Sequence, residues 1–320
     1  MQYRALGNTG LEVPVLSFGA SSVGSVFREV DPAEGIRTVH TAIEVGMNLI
    51  DVSPYYGLTK AETVLGAALR ELPRDAFILS SKAGRYGENT FDYSYERILS
   101  SVDESLQRLH TDYLDILLLH DFEFVPWRQV EEEALPALGE LKRQGKIRFG
   151  GLSALPLAAF KKALMENRPD VDVILSYCHY SLNDSTLLDL VPLLEARQIG
   201  LMNASPLSMG LLSQRGTASW HPADEELKQV CLEAAAYCSA QGTDIAKLAV
   251  QYATRDERIP TTLVSSASEE NIRRNAAWVE EPLDEQLLAE VLAILAPVQG
   301  RTWPSGRAEY NEAEQGGEEG

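Results

Sequence analysis

The sequence predicts an α/β protein built as a single (β/α)8 TIM barrel, and three observations carry that prediction. Short, nearly all-apolar runs recur along the 320 residues. Segments with apolar residues at helical spacing lie between them, and several of the runs end in a lone ionisable side chain. A parallel strand buried on both faces reads as a continuous apolar run, whereas a half-exposed strand alternates. Eight such runs alternating with helices fit a closed barrel better than an open sheet.

In chain order, Tyr3–Pro14 reads as a short N-terminal β-hairpin whose Asn-Thr-Gly turn supplies residues tolerant of positive φ. Strands are expected at Val15–Phe18, Asn48–Asp51, Phe77–Lys82, Tyr113–Leu119, Ile147–Leu152, Val173–Ser176, Gly200–Asn203 and Thr261–Val264. Most successive starts lie roughly 25–37 residues apart, the spacing of strand–helix units, and the longer last gap leaves room for an extra helix. Between the strands, Ala33–Val45 carries Ile36, Val39, Ala42 and Ile43 on one face and stops at Gly46. Ser94–Leu109 presents Ile98, Val102, Leu106 and Leu109, and Val130–Gln144 ends at Gly145, a C-cap residue. Additional helices are expected at the C-terminal end. Residues 1–305 then form the barrel, and the Glu-, Gly- and Gln-rich stretch 306–320 is expected to be a disordered acidic tail.

Composition narrows the function. Hydrophobic residues make up 45% and charged residues 23%, enough for a large core. The formal net charge of −19 disfavours nucleic acid and anionic lipid as partners. No apolar run has the length of a membrane span, and the first ten residues lack a signal-peptide pattern. Cys178, Cys231 and Cys238 form no CxxC pair, which fits a reducing, cytoplasmic setting. Cys178 beside His179 does not make a metal site.

In a barrel of this kind the chemistry sits at the C-terminal ends of the strands. There the second strand ends in Asp51, followed by Val-Ser-Pro-Tyr-Tyr56-Gly; the third ends in Lys82; and the fourth leads into His120-Asp121. A lone residue of any of these types is more often a structural group. Together they make a proton-transfer set. A free tyrosine, with a pKa near 10, is a poor acid or base at neutral pH, and a nearby ammonium favours its phenolate. A buried ammonium needs a carboxylate, and a histidine can orient a substrate oxygen. Asp51 would hold Lys82, Lys82 would lower Tyr56, and His120 would position the reacting oxygen.

The segment Asn48-x-Ile-Asp51-x-Ser-x-x-Tyr56-Gly57 with Glu62, taken with Lys82 and His120, resembles the signature of the aldo-keto reductase family, and the resemblance extends over residues 3–297. It implies that Tyr56 is the general acid/base and that a nicotinamide cofactor lies extended across the barrel mouth. Gly151-Leu-Ser153-Ala154 is similar to the family's segment at the nicotinamide amide, with Ala154 replacing an Asn, and Ser176 stands where a Gln is common. The run Ser205-Pro-Leu207-Ser-Met209-Gly210 resembles the loop over the pyrophosphate. Ser265, Ser266, Ser268, Asn271 and Asn275 resemble the adenosine-binding turn. Several longer stretches, Ser53–Gly57, His120–Phe124, Ile174–Leu188 and Trp220–Ala223 among them, are similar to the sugar-dehydrogenase branch of the family.

That likeness implies oxidation of a free aldose of the L-galactose or L-fucose type at C1, giving a lactone, with NAD preferred and NADP possible. The preference follows from Ser265 and Asn271, which occupy positions where users of NADP generally carry Lys and Arg. Tyr86, Asp121, Glu123, Trp220 and His221 lie in expected rim loops and are candidates for the sugar hydroxyls. The expected assembly is a monomer or dimer. Two rival readings share the fold: a general NADPH-dependent aldehyde reductase, and a cofactor-binding accessory subunit of the kind associated with channels.

Overall fold

The computed structural model describes residues 1–165, 170–307 and 310. Ten strands occur among them: β1 (Tyr3–Ala5), β2 (Glu12–Pro14), β3 (Leu16–Gly19), β4 (Leu49–Asp51), β5 (Ile78–Ala83), β6 (Leu114–His120), β7 (Ile147–Ala154), β8 (Val173–Tyr177), β9 (Gly200–Ala204) and β10 (Thr261–Ser265). β1 and β2 pair antiparallel, and β3 to β10 form a closed parallel barrel in sequence order, with β10 closing onto β3. Each expected strand is present within one or two residues of its predicted bounds. His120, expected just past its strand, is the last residue of β6. The turn of the hairpin differs in detail: its left-handed residues are Gly7 and Gly10, on either side of Asn8 and Thr9.

The helices follow their sequence signals. α1 (Pro32–Glu44) starts with Asp31 accepting from the Ala33 amide and with Pro32 in the first turn, where its missing N–H costs nothing. α2 (Lys60–Leu69) and α3 (Tyr95–Leu109) follow, and α3 is closed by left-handed His110. The next helix begins earlier than its pattern predicts. α4 (Trp127–Gln129) runs through a π-helical turn (Val130–Ala134) into α5 (Leu135–Arg143). Pro136 explains the turn: it has no N–H for the ladder and its ring crowds the preceding turn, so the Leu135 amide reaches back to the Val130 carbonyl. α6 (Leu157–Met165) and α7 (Val191–Arg197) complete the next two units. The long last gap holds the extra helix α8 (Glu225–Ala240) before α9 (Ile245–Arg255), and α10 (Glu269–Glu280) and α11 (Glu285–Leu295) follow the barrel. Most of the proposed acidic tail lies outside the described residues.

Three apolar layers organise this architecture. Inside the barrel, Leu49, Ile116, Leu118, Val173, Leu175, Met202 and Leu263 pack together, and Leu6, Leu11 and Val13 of the hairpin close the bottom. A second, larger layer lies between the strands and the helices α1 to α7, α9 and α10, and a third joins α8 and α11 to Leu182, Val298 and Trp303. Side chains two apart on a strand share a face. The inward phase of Leu49, Leu118 and Leu175 therefore continues at the mouth as Asp51, His120 and Tyr177, so an apolar plug supports a polar layer.

One backbone contact shows how tightly this is set. A Cβ on Gly151 of β7 would lie 1.9 Å from the Val173 carbonyl oxygen and 2.8 Å from Leu118 Cδ2. Gly151→Ala is therefore expected to split β7 from β8 and cost at least about 3 kcal/mol of stability. A denaturant midpoint within error of wild type would contradict this.

Candidate active site

Asp51 ends β4 and Lys82 lies one strand over on β5, where the register sets Asp51 opposite Ser80. Both side chains are almost wholly buried, and the Lys82 ammonium donates to Asp51 Oδ2 and, at 3.0 Å, to the Val52 carbonyl. The other carboxylate oxygen accepts from Ser80 Oγ at 2.8 Å. Burial alone would lower the Lys82 ammonium, but the Asp51 carboxylate and then Tyr56 outweigh it, and its pKa ends above the usual lysine value.

Tyr56 stands partly exposed at the mouth, with Lys82 Nζ 4.8 Å from its ring centroid. Here the expectation from sequence is corrected. Lys82 does pull the phenol down, but desolvation is the larger effect and Asp51 opposes Lys82, so the hydroxyl sits above its ordinary value of 10. An ammonium without a carboxylate partner would have the stronger effect; the carboxylate that makes a buried lysine tolerable also mutes it.

His120 closes β6 with its ring perpendicular to Tyr56, centroids 5.7 Å apart. Its Nδ1 lies 3.0 Å from Ser53 Oγ, and Nε2 lies 3.7 Å from Asp121 Oδ2. Tyr93 fixes the strand end by donating its hydroxyl to the His120 carbonyl. Burial pushes the imidazole down to about 3, and Lys82 and Arg85 work in the same direction against Asp121, so the ring is neutral. The arrangement thus brings a protonated phenol and a neutral imidazole to one spot, backed by an ammonium. It can pass a proton to or from an oxygen placed there and hydrogen-bond that oxygen as its charge changes.

The rim candidates separate. Asp121, left-handed at φ 57°, pairs with Arg85 at 2.5 Å and lies 3.4 Å from the Tyr177 hydroxyl. The Arg85 guanidinium also stacks 3.9 Å over the Tyr55 ring. Tyr86 instead turns its hydroxyl onto the Gly84 amide at 3.0 Å, with Arg97 over its ring. Trp220 is 55% exposed. His221 uses both nitrogens inside the fold, bonding the Ser208 carbonyl and the Ala223 amide at 3.1 Å, which leaves only its ring for a ligand. Cys178 is buried, its thiol pushed up by burial, and His179 bonds Asp184. Among the described residues no group of His, Cys, Asp or Glu has the makings of a metal site. Glu62 is structural: it accepts from Ser81 Oγ at 2.8 Å and from Arg108 at 2.7 Å.

Sequence reasoning assigned no role to Arg85, nor to Ser53, Tyr55 and Tyr177, which enter it only as members of longer matching stretches. Arg85 pairs with a residue 36 positions away, and no local pattern marks such a pair. Its only signal was a cation three residues past Lys82 on the same rim.

The remaining candidates lie on β7, β8 and β10, in the loop after β9 and in the first turns of α10. Ser153 is buried and in register with His120, and Ser176 is buried with an Oγ that has no hydrogen-bond partner among the described residues. Ser205 and Met209 are left-handed, as is Gly210, and Leu207 packs against the α8–α11 layer. Ser265 Oγ is bound to Ser21 and Ser22, and Ser266 Oγ accepts from Ser268 N at 3.1 Å. Ser268 caps α10 through the Asn271 amide, and Asn275 lies one turn on, partly buried. Ser176 has the outward phase of Ile174 rather than that of Tyr177, whereas Ser153 shares the inward phase of His120 and the first-turn amides of α10 offer donors to a phosphate.

Glu123 takes a different place from the one expected of a rim residue. It is 3% exposed and accepts from the Leu155 amide at 3.2 Å and from Ser305 Oγ at 2.8 Å, while its Oε2 has no partner. It pins the C-terminal segment to the barrel. Burial, with Asp121 adding, raises its carboxyl to about 8. In the unfolded chain it titrates near the ordinary 4.5, so its contribution is complete below that value and is lost as pH rises through 8. Glu123→Gln, which mimics the protonated form, is expected to melt about 2–4 °C above wild type at pH 8 and to lose that advantage at pH 5. Equal melting temperatures at both pH values would show the carboxyl to be ionised in the fold.

The sequence pattern of the aldo/keto reductase family matches residues 15–296. The chain is 48% identical over 313 residues to L-galactose dehydrogenase of Arabidopsis thaliana, covering 96% of this chain and 98% of the relative. It is 38% identical over 253 residues to D-arabinose 1-dehydrogenase of Saccharomyces cerevisiae, covering 75% and 74%. Among solved structures it superposes on the holo form of an aldo-keto reductase from Bacillus halodurans with a TM-score of 0.77 at 26% identity, covering 98% and 100%.

Proposed function

Because the chain belongs to the aldo/keto reductase family, we propose that it is a sugar dehydrogenase that oxidises a free aldose of the L-galactose type at C1 to the lactone, with NAD as the preferred acceptor. The observation that carries the proposal is the Asp51–Lys82 pair set behind Tyr56 and His120 at the mouth. The likeness to two sugar dehydrogenases along most of their lengths supports the substrate class. So does the polar wall of Arg85, Asp121 and Tyr177 beside His120, which offers hydrogen-bonding groups to a hydroxyl-rich substrate.

In this reading a bound nicotinamide supplies the acceptor for the hydride that leaves C1. Tyr56 Oη takes the proton of the anomeric hydroxyl, and the C1–O bond becomes the lactone carbonyl. His120 holds the same oxygen by a hydrogen bond, which strengthens as the proton leaves. Lys82 favours the phenolate and Asp51 holds Lys82. Ser153 would hold the carboxamide, Ser205 to Gly210 would cover the pyrophosphate, and Ser265 to Asn275 would receive the adenosine.

One observation favours the opposite direction. Tyr56, held above its ordinary value, is an acid at neutral pH, and an acid serves carbonyl reduction, the activity of a general NADPH-dependent aldehyde reductase. Substrate and pH dependence separate the two. NAD reduction across an aldose panel is expected to be fastest with L-galactose-type sugars and to climb from pH 7 to pH 9, as phenolate accumulates. Tyr56→Phe should lower kcat about 10²–10⁴-fold with the Kd for NAD unchanged. Near-normal turnover in Tyr56→Phe, or a rate that falls steadily from pH 7 to 9 in folded enzyme, would refute the tyrosine base.

The nucleotide preference rests on the turn before α10. Ser265 and Asn271 are uncharged, and the two arginines that follow are already engaged: Arg273 with Glu44 at 2.7 Å, and Arg274 with Asn271 Oδ1 at 2.7 Å and the Trp278 ring. A 2′-phosphate would meet Glu269 and Glu270 in the first helical turn, and Arg274 would have to leave Asn271 and the Trp278 ring to offset its desolvation. The ratio of kcat/KM should favour NAD at least about tenfold, ~1.4 kcal/mol, and Ser265→Lys with Asn271→Arg should narrow it. A wild-type preference for NADP would move the reading to the aldehyde reductase.

A further inference from the structure

Ser53 lies two residues past β4 and is fully buried, and nothing in the chemistry above uses it. Its Oγ is 3.0 Å from His120 Nδ1 and accepts the Tyr55 amide at 3.1 Å. A hydroxyl has one proton and two lone pairs. With the Tyr55 N–H occupying a lone pair, the proton needs an acceptor, since an unmet buried donor is costly. Among the described residues the Ser53 hydroxyl has no hydrogen-bond partner besides these two. Nδ1 of His120 must then carry a lone pair, and the single proton of the neutral ring belongs on Nε2. The far side of the ring agrees: Asp121 Oδ2 lies 3.7 Å from Nε2, and its negative charge favours a proton there. Tyr93 holds the His120 carbonyl, so the ring is anchored from its backbone as well.

We propose that Ser53 is a positioning residue that sets the tautomer of His120: by donating to Nδ1 it makes Nε2 a hydrogen-bond donor toward the oxygen that gains charge in the reaction. The inference rests on the reading that His120 faces that oxygen. In the other tautomer Nε2 would present a lone pair, which repels a carbonyl or alkoxide oxygen. Without Ser53 the ring loses the hydrogen bond on Nδ1 that separates the two. Which tautomer a histidine adopts is decided by the bond its other nitrogen makes, and here that bond comes from a residue of the same loop that carries Tyr56.

The test is the ring ¹⁵N spectrum of His120 in the labelled full-length protein, assigned with His120→Gln, together with steady-state kinetics on the best aldose and the Kd for NAD. Wild type is expected to show an unprotonated Nδ1 and a protonated Nε2 from pH 6 to pH 9. Ser53→Ala should give a mixture of tautomers and lower kcat about tenfold with the Kd for NAD unchanged, and Ser53→Thr, which keeps the hydroxyl, should restore both. A protonated Nδ1 in wild type overturns the proposal whatever the variants do. So does a Ser53→Ala enzyme that loses activity with the tautomer unmoved, since the serine would then be only structural. The spectrum needs no turnover, so an enzyme inactive on every aldose would sink the sugar reading and leave the tautomer to be judged on its own.

Discussion

A lysine charge buried above an apolar barrel core is the constraint on which the rest of the mouth depends. Lys82 sits at the top of a column of leucine, isoleucine and valine side chains, where an isolated ammonium would be neutralised. Asp51 is the only acidic partner its strand neighbour supplies, and the parallel register of β4 and β5 brings the two together at the same rim. Removing one member of such a pair typically costs about 3–5 kcal/mol, because the other is left buried and uncompensated. Ser80 and the Val52 carbonyl complete the set, so the ammonium has one position. Tyr56 and His120 are arranged around that position.

The same pair explains why the two proposed proton-handling groups behave differently. Lys82 pushes His120 further down, and burial has already made that imidazole neutral. Toward Tyr56 its effect is partly cancelled by Asp51, so the phenol stays above its ordinary value. A neutral donor beside a protonated phenol is a site ready for an oxygen without a net charge. A second ion pair, Arg85 with Asp121, stands outside the first and is walled by Tyr55 and Tyr177. It gives the mouth a polar side where a hydroxyl-rich substrate can exchange water for protein partners.

Behind that wall the structure solves a different problem. The C-terminal segment must lie over the ends of β6 and β7 without leaving its own polar groups stranded. Glu123 meets Ser305 and the Leu155 amide there, and its backbone carbonyl takes the Arg307 amide. The His221 ring, perpendicular to Trp303 at 4.8 Å, ties the loop after β9 to the same segment. Residues that read as rim contacts for a substrate are thus spent on fastening the chain, and this fastening holds the loops around the mouth in register.

The sequence by itself determined the eight strands, the hairpin and the Asp51, Tyr56, Lys82, His120 set. Each of these is a local matter: apolar runs of strand length, helical periodicity and a polar residue closing an apolar run all survive without knowledge of neighbours. The π-turn before Pro136 was not read from the sequence, because a proline marks a defect in a helix without saying how far upstream the ladder shifts. Tertiary structure alone decided where the rim side chains go. Asp121 and Glu123 are two residues apart, yet one faces Arg85 at the mouth and the other is sealed under Ser305. Tyr86 and His221 were taken up by α3 and by the loop after β9. The direction of the Tyr56 shift and the partner of His120 Nδ1 were equally out of reach, because both depend on burial and on atoms brought together from different strands.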